Sequence, residues 1–450
     1  MISRLSRTLA VASVFAAAAG TTLAQNADVV WPGFRGPSGD GRLHGLSHPD
    51  SWSLTSEEQR NVAWSVEIAG NSWSSPVVIG DTVYVVSAVT PDMERPDPFR
   101  GAGGWVAGRP SADAEFQMRA FDLATGDERW SKTLETEVPK QPTHPSNTWA
   151  TETPVTDGER IYAHFGAIGL VVAVDLEGNV IWRTDLPAYK QGANFGTGAS
   201  VALAGDRLIV HSDNQEDSFV VAFDTETGDE KWRQDRPEGS SWATPLVAEH
   251  EGVTQVIVPG PGHVTAYNAT DGEMLWKGTG IGGGFSASPS IEDGVVIFGN
   301  SGPGRRGPLI GVNLSARGEF ALDPKDERVA WVANSQGFTF ASPVVLDGII
   351  YAVRGSFFGA HDAETGKRIY QKRLPDQSEV VASLWTDGER IFAMNEVGLT
   401  FVVKAGREYE LLGTNEIEGD LFSATPSAAD DSLLIRGADK LYCVRAEGAG

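Results

Sequence analysis

The 450-residue sequence has a single cysteine, Cys443, so no disulfide can form within the chain and the fold must hold by side-chain burial alone. Cys443 lies in the apolar run from Lys440 to Val444, which predicts a buried, inert thiol. Positive charge is also scarce. The 36 Lys and Arg against 60 Asp and Glu leave a net charge of −24, and a surface of that sign repels nucleic acid and anionic lipid. The eight histidines show no metal-ligand spacing such as His-x-x-x-His, and no phosphate loop, Ser-His-Asp order or zinc knuckle stands out.

Long apolar runs are missing beyond the start of the chain. There, Arg4 and Arg7 precede an apolar stretch from Leu9 to Ala19, and Thr22-Leu23-Ala24 precedes Gln25. This is the pattern of a cleaved signal peptide, with an apolar stretch too short for a membrane span. Residues 1–24 are therefore expected to be removed near Ala24, with no cysteine nearby to take a lipid. The expected product is periplasmic or secreted and has no transmembrane segment. Residues 25–60 read as an extension that opens with Trp31-Pro32-Gly33-Phe34-Arg35-Gly36-Pro37, and residues 61–450 as repeats.

Glycine, at 52 residues, and tryptophan, at 13, are abundant and regularly placed. One phrase recurs: an aromatic, Ser/Thr-Pro, an apolar strand, Asp-Gly, and a second apolar strand. It appears at Trp73 to Pro76, Trp149 to Pro154, Trp242 to Pro245, Phe285 to Pro289, Phe340 to Pro343 and Phe422 to Pro426, with Val201 and Leu384 at the equivalent places in two further copies. A second phrase follows, Ala-x-Asp, a Thr-Gly or equivalent turn, then Trp, as in Ala120-Phe121-Asp122 to Trp130 and Ala222-Phe223-Asp224 to Trp232. Alternating apolar residues around a glycine turn make hairpins. Four antiparallel strands per unit, repeated eight times, predict an all-β, eight-bladed propeller.

Closure can be read as well. The last unit stops after the strand at Lys440–Val444 without its Trp strand, while Asn61 to Val66 is a Trp strand with no unit before it. Trp64 precedes Pro76 by 12 residues, against 13 for Trp232 to Pro245 and 12 for Trp331 to Pro343. Trp64 is thus expected to complete the last blade and leave no sheet edge at the seam. The tryptophans Trp130, Trp182, Trp232, Trp276 and Trp331 are read as fillers of the wedge between blades, and none is given a functional role.

The Ala-x-Asp-x-x-Thr-Gly-x-x-x-Trp phrase resembles the tryptophan-docking repeat of pyrroloquinoline-quinone (PQQ) propellers, over Asn61 to Val444. That superfamily holds quinoprotein alcohol dehydrogenases and the non-catalytic assembly factor BamB. The resemblance implies the fold and leaves two functions open. One is a non-catalytic binding or scaffolding protein of the cell envelope, with an envelope protein, peptide or glycan as partner and no cofactor. BamB-like proteins are lipid-anchored, and the cysteine for that anchor is missing. The other is a dehydrogenase of alcohols or sugars using PQQ and Ca²⁺. It needs calcium held by carboxylate and amide oxygens, an Arg near the quinone and an Asp base. The typical enzymes are larger and carry a vicinal disulfide, which one cysteine rules out.

Candidate residues follow from the propeller itself. Turns leading into the innermost strands share a face with turns joining second and third strands, and functional groups collect on such loops. The first set contributes Trp73, Trp149 and Trp242. The second contributes His211, Asp213, Arg305, Arg306, Arg354, Asn395, Glu396 and Arg436. The arginines suit a carboxylate or phosphate ligand, against the plainer reading of exposed charges paired with acids. Asn395, Glu396, Arg354 and Asp213 are the residues the quinoprotein reading would use. Asp213 to Asp217 is expected to be a solvated hairpin tip. The insertion from about Thr90 to Glu115, with Arg100, Trp105 and Arg109, reads either as a lid over the mouth or as a linker.

Overall fold

Each Ala-x-Asp-x-x-Thr-Gly phrase shapes one turn and receives one tryptophan. Asp122 Oδ1 accepts the backbone N–H groups of Ala124 and Thr125, and Gly126 takes a positive φ of 79°. A Cβ at Gly126 would stand 2.7 Å from the ring of Trp64, so only glycine leaves room for that indole. On the following strand the large ring faces a small residue: Ala120 pairs with Trp130, Ala173 with Trp182 and Ala222 with Trp232. The indole N–H then reaches the next blade. Trp130 donates to Leu176 O, Trp182 to Thr225 O, Trp232 to Ala269 O and Trp331 to Ala363 O.

The computed structural model describes residues 29–91, 95–99, 108, 111–237, 239–283, 285–300 and 307–447. Eight antiparallel sheets follow one another and form an eight-bladed β-propeller, with a single 3₁₀ turn at Gly192–Asn194 as the only helical element among these residues. Blade one comprises Val77–Ile79, Thr82–Val89, Ala114–Asp122 and Glu128–Glu137, from the axis outward. Blade eight has Ser427–Ala429, Ser432–Arg436 and Lys440–Val444, and its outer strand is Val62–Glu67, with Trp64 opposite Cys443. The closure expected from Trp64 is present. Cys443 is fully buried, and burial pushes its thiol up to about 11. No helix among the described residues is long and apolar enough to cross a membrane.

The Ser/Thr of the Ser/Thr-Pro phrase makes a second seam around the axis. The Ser75 N–H donates to Thr153 Oγ1, Thr153 to Ser200, Ser200 to Thr244, Thr244 to Ser288, Ser288 to Ser342, Ser342 to Ser383 and Ser383 to Thr425, each at 2.9–3.1 Å. Seven hydroxyls thus satisfy seven buried amides of neighbouring blades. The Oγ of Ser75, at the seam between blades eight and one, accepts none.

Three blades carry strands beyond the expected four. Gly318–Ala321 adds in parallel to the outer edge of blade four, beside Met274–Thr279. Trp276 there donates to Gln255 Oε1, and Gln255 Nε2 donates on to Leu314 O, so an amide bridges the usual Trp-to-carbonyl contact. Ser53–Leu54 and Gln59–Arg60 extend blade seven, whose outer strand Leu411–Ile417 has no tryptophan. Fully buried Trp52 sits instead in the core shared by blades seven and eight.

The third addition is Val29–Trp31, which pairs with the innermost strand of blade one. From it the chain crosses the axis. Pro32 O accepts from Thr156 of blade two, and Arg35, fully buried, donates to Pro289 O of blade five and Pro343 O of blade six. Leu43 and Gly41 bond Thr386 of blade seven, and Ser47 bonds Asp430 of blade eight. The Trp31–Pro37 motif is therefore a stopper of the ring at the end where the innermost strands finish. Burial pushes the Arg35 guanidinium down to about 10, and Asp40 offsets part of that fall.

Candidate functional site

The opposite end is the mouth face, where the loops into the innermost strands meet the turns between second and third strands. Trp73 donates to Ser146 O at 2.9 Å and Trp242 to Gly196 O at 2.7 Å. Each bond joins loops of adjacent blades, which makes both rings ties within the rim. Trp149 is half-buried against the core of blades one and two, with its N–H enclosed.

His211 and Asp213 are not solvated. Both are buried, as is Asn214, and only Gln215, Glu216 and Asp217 form the exposed tip expected for the whole stretch. The cause is Arg236, which follows the outer strand Glu230–Asp235 and turns inward. Its Nε donates to Asp213 Oδ1 at 2.6 Å, Nη2 to Oδ2 at 3.0 Å, and Nη1 to the Tyr267 hydroxyl at 2.9 Å. His211 Nε2 lies 3.0 Å from Asp213 Oδ2. Burial alone would raise the Asp213 carboxyl, but Arg236 and then His211 hold it well below the ordinary carboxylate range.

Arg354, Asn395, Glu396 and Arg436 fall on the consecutive blades six, seven and eight. Arg354 Nη1 donates to Ser335 O at 3.2 Å. Asn395 is buried: its Oδ1 accepts from Leu399 and Val397 N–H, and its Nδ2 donates to Asp376. Arg436, read as an exposed charge or anion ligand, is fully buried because its strand ends inside the rim. One bond runs from Nη2 to Gly70 O at 3.2 Å, while Nε and Nη1 are enclosed without partners. Burial pushes this guanidinium down to about 10. Arg305 and Arg306 lie outside the described residues, as do Arg100, Trp105 and Arg109.

Part of the insertion does cross the mouth. Arg95 Nη2 donates to Asp420 Oδ1 at 3.1 Å and to Gly419 O, and its Nε lies 3.2 Å from Asp439 Oδ2. Asp97 N–H bonds Pro145 O at 2.9 Å. Phe99 N–H donates to Glu396 Oε2 at 2.7 Å, and Glu396 Oε1 accepts from Glu379 N–H. The Phe99 ring stands 4.4 Å from Phe340, edge-on, and 6.4 Å from both Phe195 and His144. Three residues of this segment, Arg95, Asp97 and Phe99, thus touch loops of blades two, three, six, seven and eight. The sequence marks the insertion but neither Arg95 nor Phe99 within it, since only the closed ring brings those loops together.

A second group escaped the sequence reading altogether. Glu152 is buried with neither carboxylate oxygen in a well-formed hydrogen bond, and burial pushes its carboxyl up to about 7. It lines a cavity of about 20 Å³ with His164, Gln191, Thr197 and His211, room for a water among polar partners. A Cβ at Gly166 would come within 2.6 Å of Glu152 Oε1, so a glycine makes the space. The signal was present in the repeat. The position two before the proline anchor is Ser74, Ala199, Ala243, Ala287, Ala341, Ala382 or Ala424 in the other blades, and Glu only here.

The oxygen donors that the quinoprotein reading would use, Asp213, Asn395 and Glu396, do not form one calcium site. Both Asp213 oxygens are taken by Arg236, both Glu396 oxygens by backbone amides, and Asn395 Oδ1 by two more. Asp213 sits on blade three and Asn395 on blade seven, across the ring. Among the described residues, no three His, Cys, Asp or Glu side chains converge as a metal site.

Comparison with known proteins follows the architecture. The sequence profile of the family described as outer membrane protein assembly factor BamB matches residues 10–199 and 168–398. The crystal structure of BamB from Moraxella catarrhalis superposes with a TM-score of 0.55 at 12% identity, covering 85% of this chain and 98% of that one. Quinohemoprotein alcohol dehydrogenase from Comamonas testosteroni gives 0.58 at 12% identity, over 86% and 77%. The Dos1 propeller gives 0.56 at 10% identity, over 90% and 97%. At such identities the structural likeness speaks for the fold alone. No curated protein matches the sequence.

Proposed function

Since the chain belongs to the family described as outer membrane protein assembly factor BamB, we propose that it is a non-catalytic propeller of the cell envelope that binds polypeptide across its mouth face. The observation that carries this reading is the way the face already holds a stretch of irregular backbone. It does so with an aromatic cluster around Phe99, a buried carboxylate for a backbone N–H, and an acidic pair for Arg95. Those are the elements of peptide recognition: a pocketed ring, a main-chain hydrogen bond and an ion pair. Export follows from the amino-terminal pattern of residues 1–24, and the partner is an envelope protein or peptide.

The dehydrogenase alternative is tested by titrating the protein that begins at Gln25 with PQQ and Ca²⁺, while following quinone absorbance and dye reduction with alcohols and sugars. The binding reading expects no saturable uptake and no turnover. Saturable quinone binding with dye reduction would replace it with the enzymatic one.

A further inference from the structure

We propose that the mouth is a recognition site for an extended, proline-containing segment with a basic residue at its start and an aromatic four residues later, and that Arg95–Phe99 occupies this site in cis. The inference rests on the polypeptide-binding reading and gives it a ligand class and a form of control.

The segment reads Arg95-Pro96-Asp97-Pro98-Phe99. Pro96 and Pro98 fix their own φ near −65°, and each also pushes the residue before it toward extended backbone. The peptide is therefore stiff before it binds, which lowers the entropy lost on docking, as in other proline-rich ligands of aromatic grooves. Its ends are anchored by different chemistry. Arg95 meets Asp420 and Asp439 on blade eight, and Asp420 is itself buried and held by Tyr442 and by the N–H groups of Leu421, Asp439 and Lys440. Phe99 enters between Phe340 and Phe195 and gives its N–H to Glu396.

The receiving groups lie on the propeller loops, and the Arg95 end of the occupant is lightly held. With the segment in place Glu396 is 5% exposed, so a peptide that displaces Phe99 and covers this carboxylate must supply a donor to Oε2 in its turn. Arg95 has 43% of its side chain exposed, where an ion pair contributes little, and none of Arg95 to Phe99 joins a sheet. Beside Glu396, Val397 is exposed at the rim, an apolar surface next to the occupied site. A tethered occupant acts at an effective concentration on the order of millimolar, so a partner with the same pattern competes with it only when it offers further contacts or is itself concentrated.

The test uses the full exported chain and a fluorescent peptide, Arg-Pro-Asp-Pro-Phe, read by anisotropy. The variant Arg95→Ala/Phe99→Ala is expected to bind the peptide at least about tenfold more tightly than the wild type, because the cis competitor is gone. A peptide with Ala in place of Phe should lose binding, as should Glu396→Gln in the double-variant background. Equal binding to wild type and variant would overturn the cis occupancy. No saturable binding to a variant with native circular dichroism and melting would overturn the site. Phe340→Ala, which lies outside the segment, supplies a second readout: exchange of the Phe99 amide with solvent should rise about tenfold, and unchanged exchange overturns the inference. Polypeptide adducts formed by a photo-crosslinker at position 397, if retained while the peptide fails, would leave the broader binding reading standing.

Discussion

The indole N–H of Trp64 donates to the carbonyl of Leu123 at 3.0 Å, so one bond ties the outer strand of blade eight to blade one. Trp64 belongs to the start of the chain and Cys443 beside it to the end, and their pairing closes the ring. Trp64→Ala should therefore cost about 3–5 kcal/mol, the range for a buried tryptophan, and loosen both ends together. Urea melts of the variant give the loss. A cost below about 1 kcal/mol would contradict the role of this strand in closure.

The girdle of hydroxyls gives a comparison of like with like. Ser200→Ala removes the acceptor of the buried Thr153 amide and should cost about 1–3 kcal/mol. Ser75→Ala removes an oxygen that accepts no such bond, and should be nearly neutral. Denaturation midpoints of the two variants, measured side by side, test the difference.

Glu152 predicts a pH dependence of stability. An unfolded Glu ionises near 4.5, and in the folded protein the carboxyl ionises at about 7. The folded-state value is raised, so this group's contribution is fully present below pH 4.5 and is lost as pH rises through 7. At ~1.4 kcal/mol per unit the loss amounts to about 3 kcal/mol. Glu152→Gln should abolish it, so that the variant gains on the wild type between pH 4.5 and 7 and holds a constant lead above. Parallel melts at pH 4.5, 6 and 8 check the trend.

The buried Asp213–Arg236 pair should behave as a unit. Asp213→Leu leaves an uncompensated guanidinium inside blade three and should cost about 3–5 kcal/mol. The double change Asp213→Leu/Arg236→Met removes both charges and should cost less than the single one. A double-mutant cycle in urea measures the coupling.

Much of the ring was legible because repetition makes each residue's role visible eight times. The Ala-x-Asp-x-x-Thr-Gly phrase and the count from Trp64 to Pro76 were enough to place the seam. What escaped depended on contacts between residues far apart in sequence. Gln255 relays the Trp276 bond to Leu314, 59 residues further along the chain, where Trp130, Trp182, Trp232 and Trp331 use the indole alone. Arg35 reads as one residue of a short motif, and nothing local says that it will bridge blades five and six. At the mouth, Arg436 and Asp213 were placed on the right loops but expected in solvent. Their burial is decided by neighbours such as Arg236 and by the depth of the rim. Phe99 became readable only once loops of blades two, three, six and seven had been brought around it.

The most direct measurement places a photo-crosslinking residue at position 397, beside Glu396 on the mouth face, and another at Met274 on the outer strand of blade four, both exposed. After irradiation of cells making each protein, discrete adducts to polypeptide are expected at 397 and none at 274. Absence of adducts at 397, or equal adducts at both positions, would contradict polypeptide binding at the mouth.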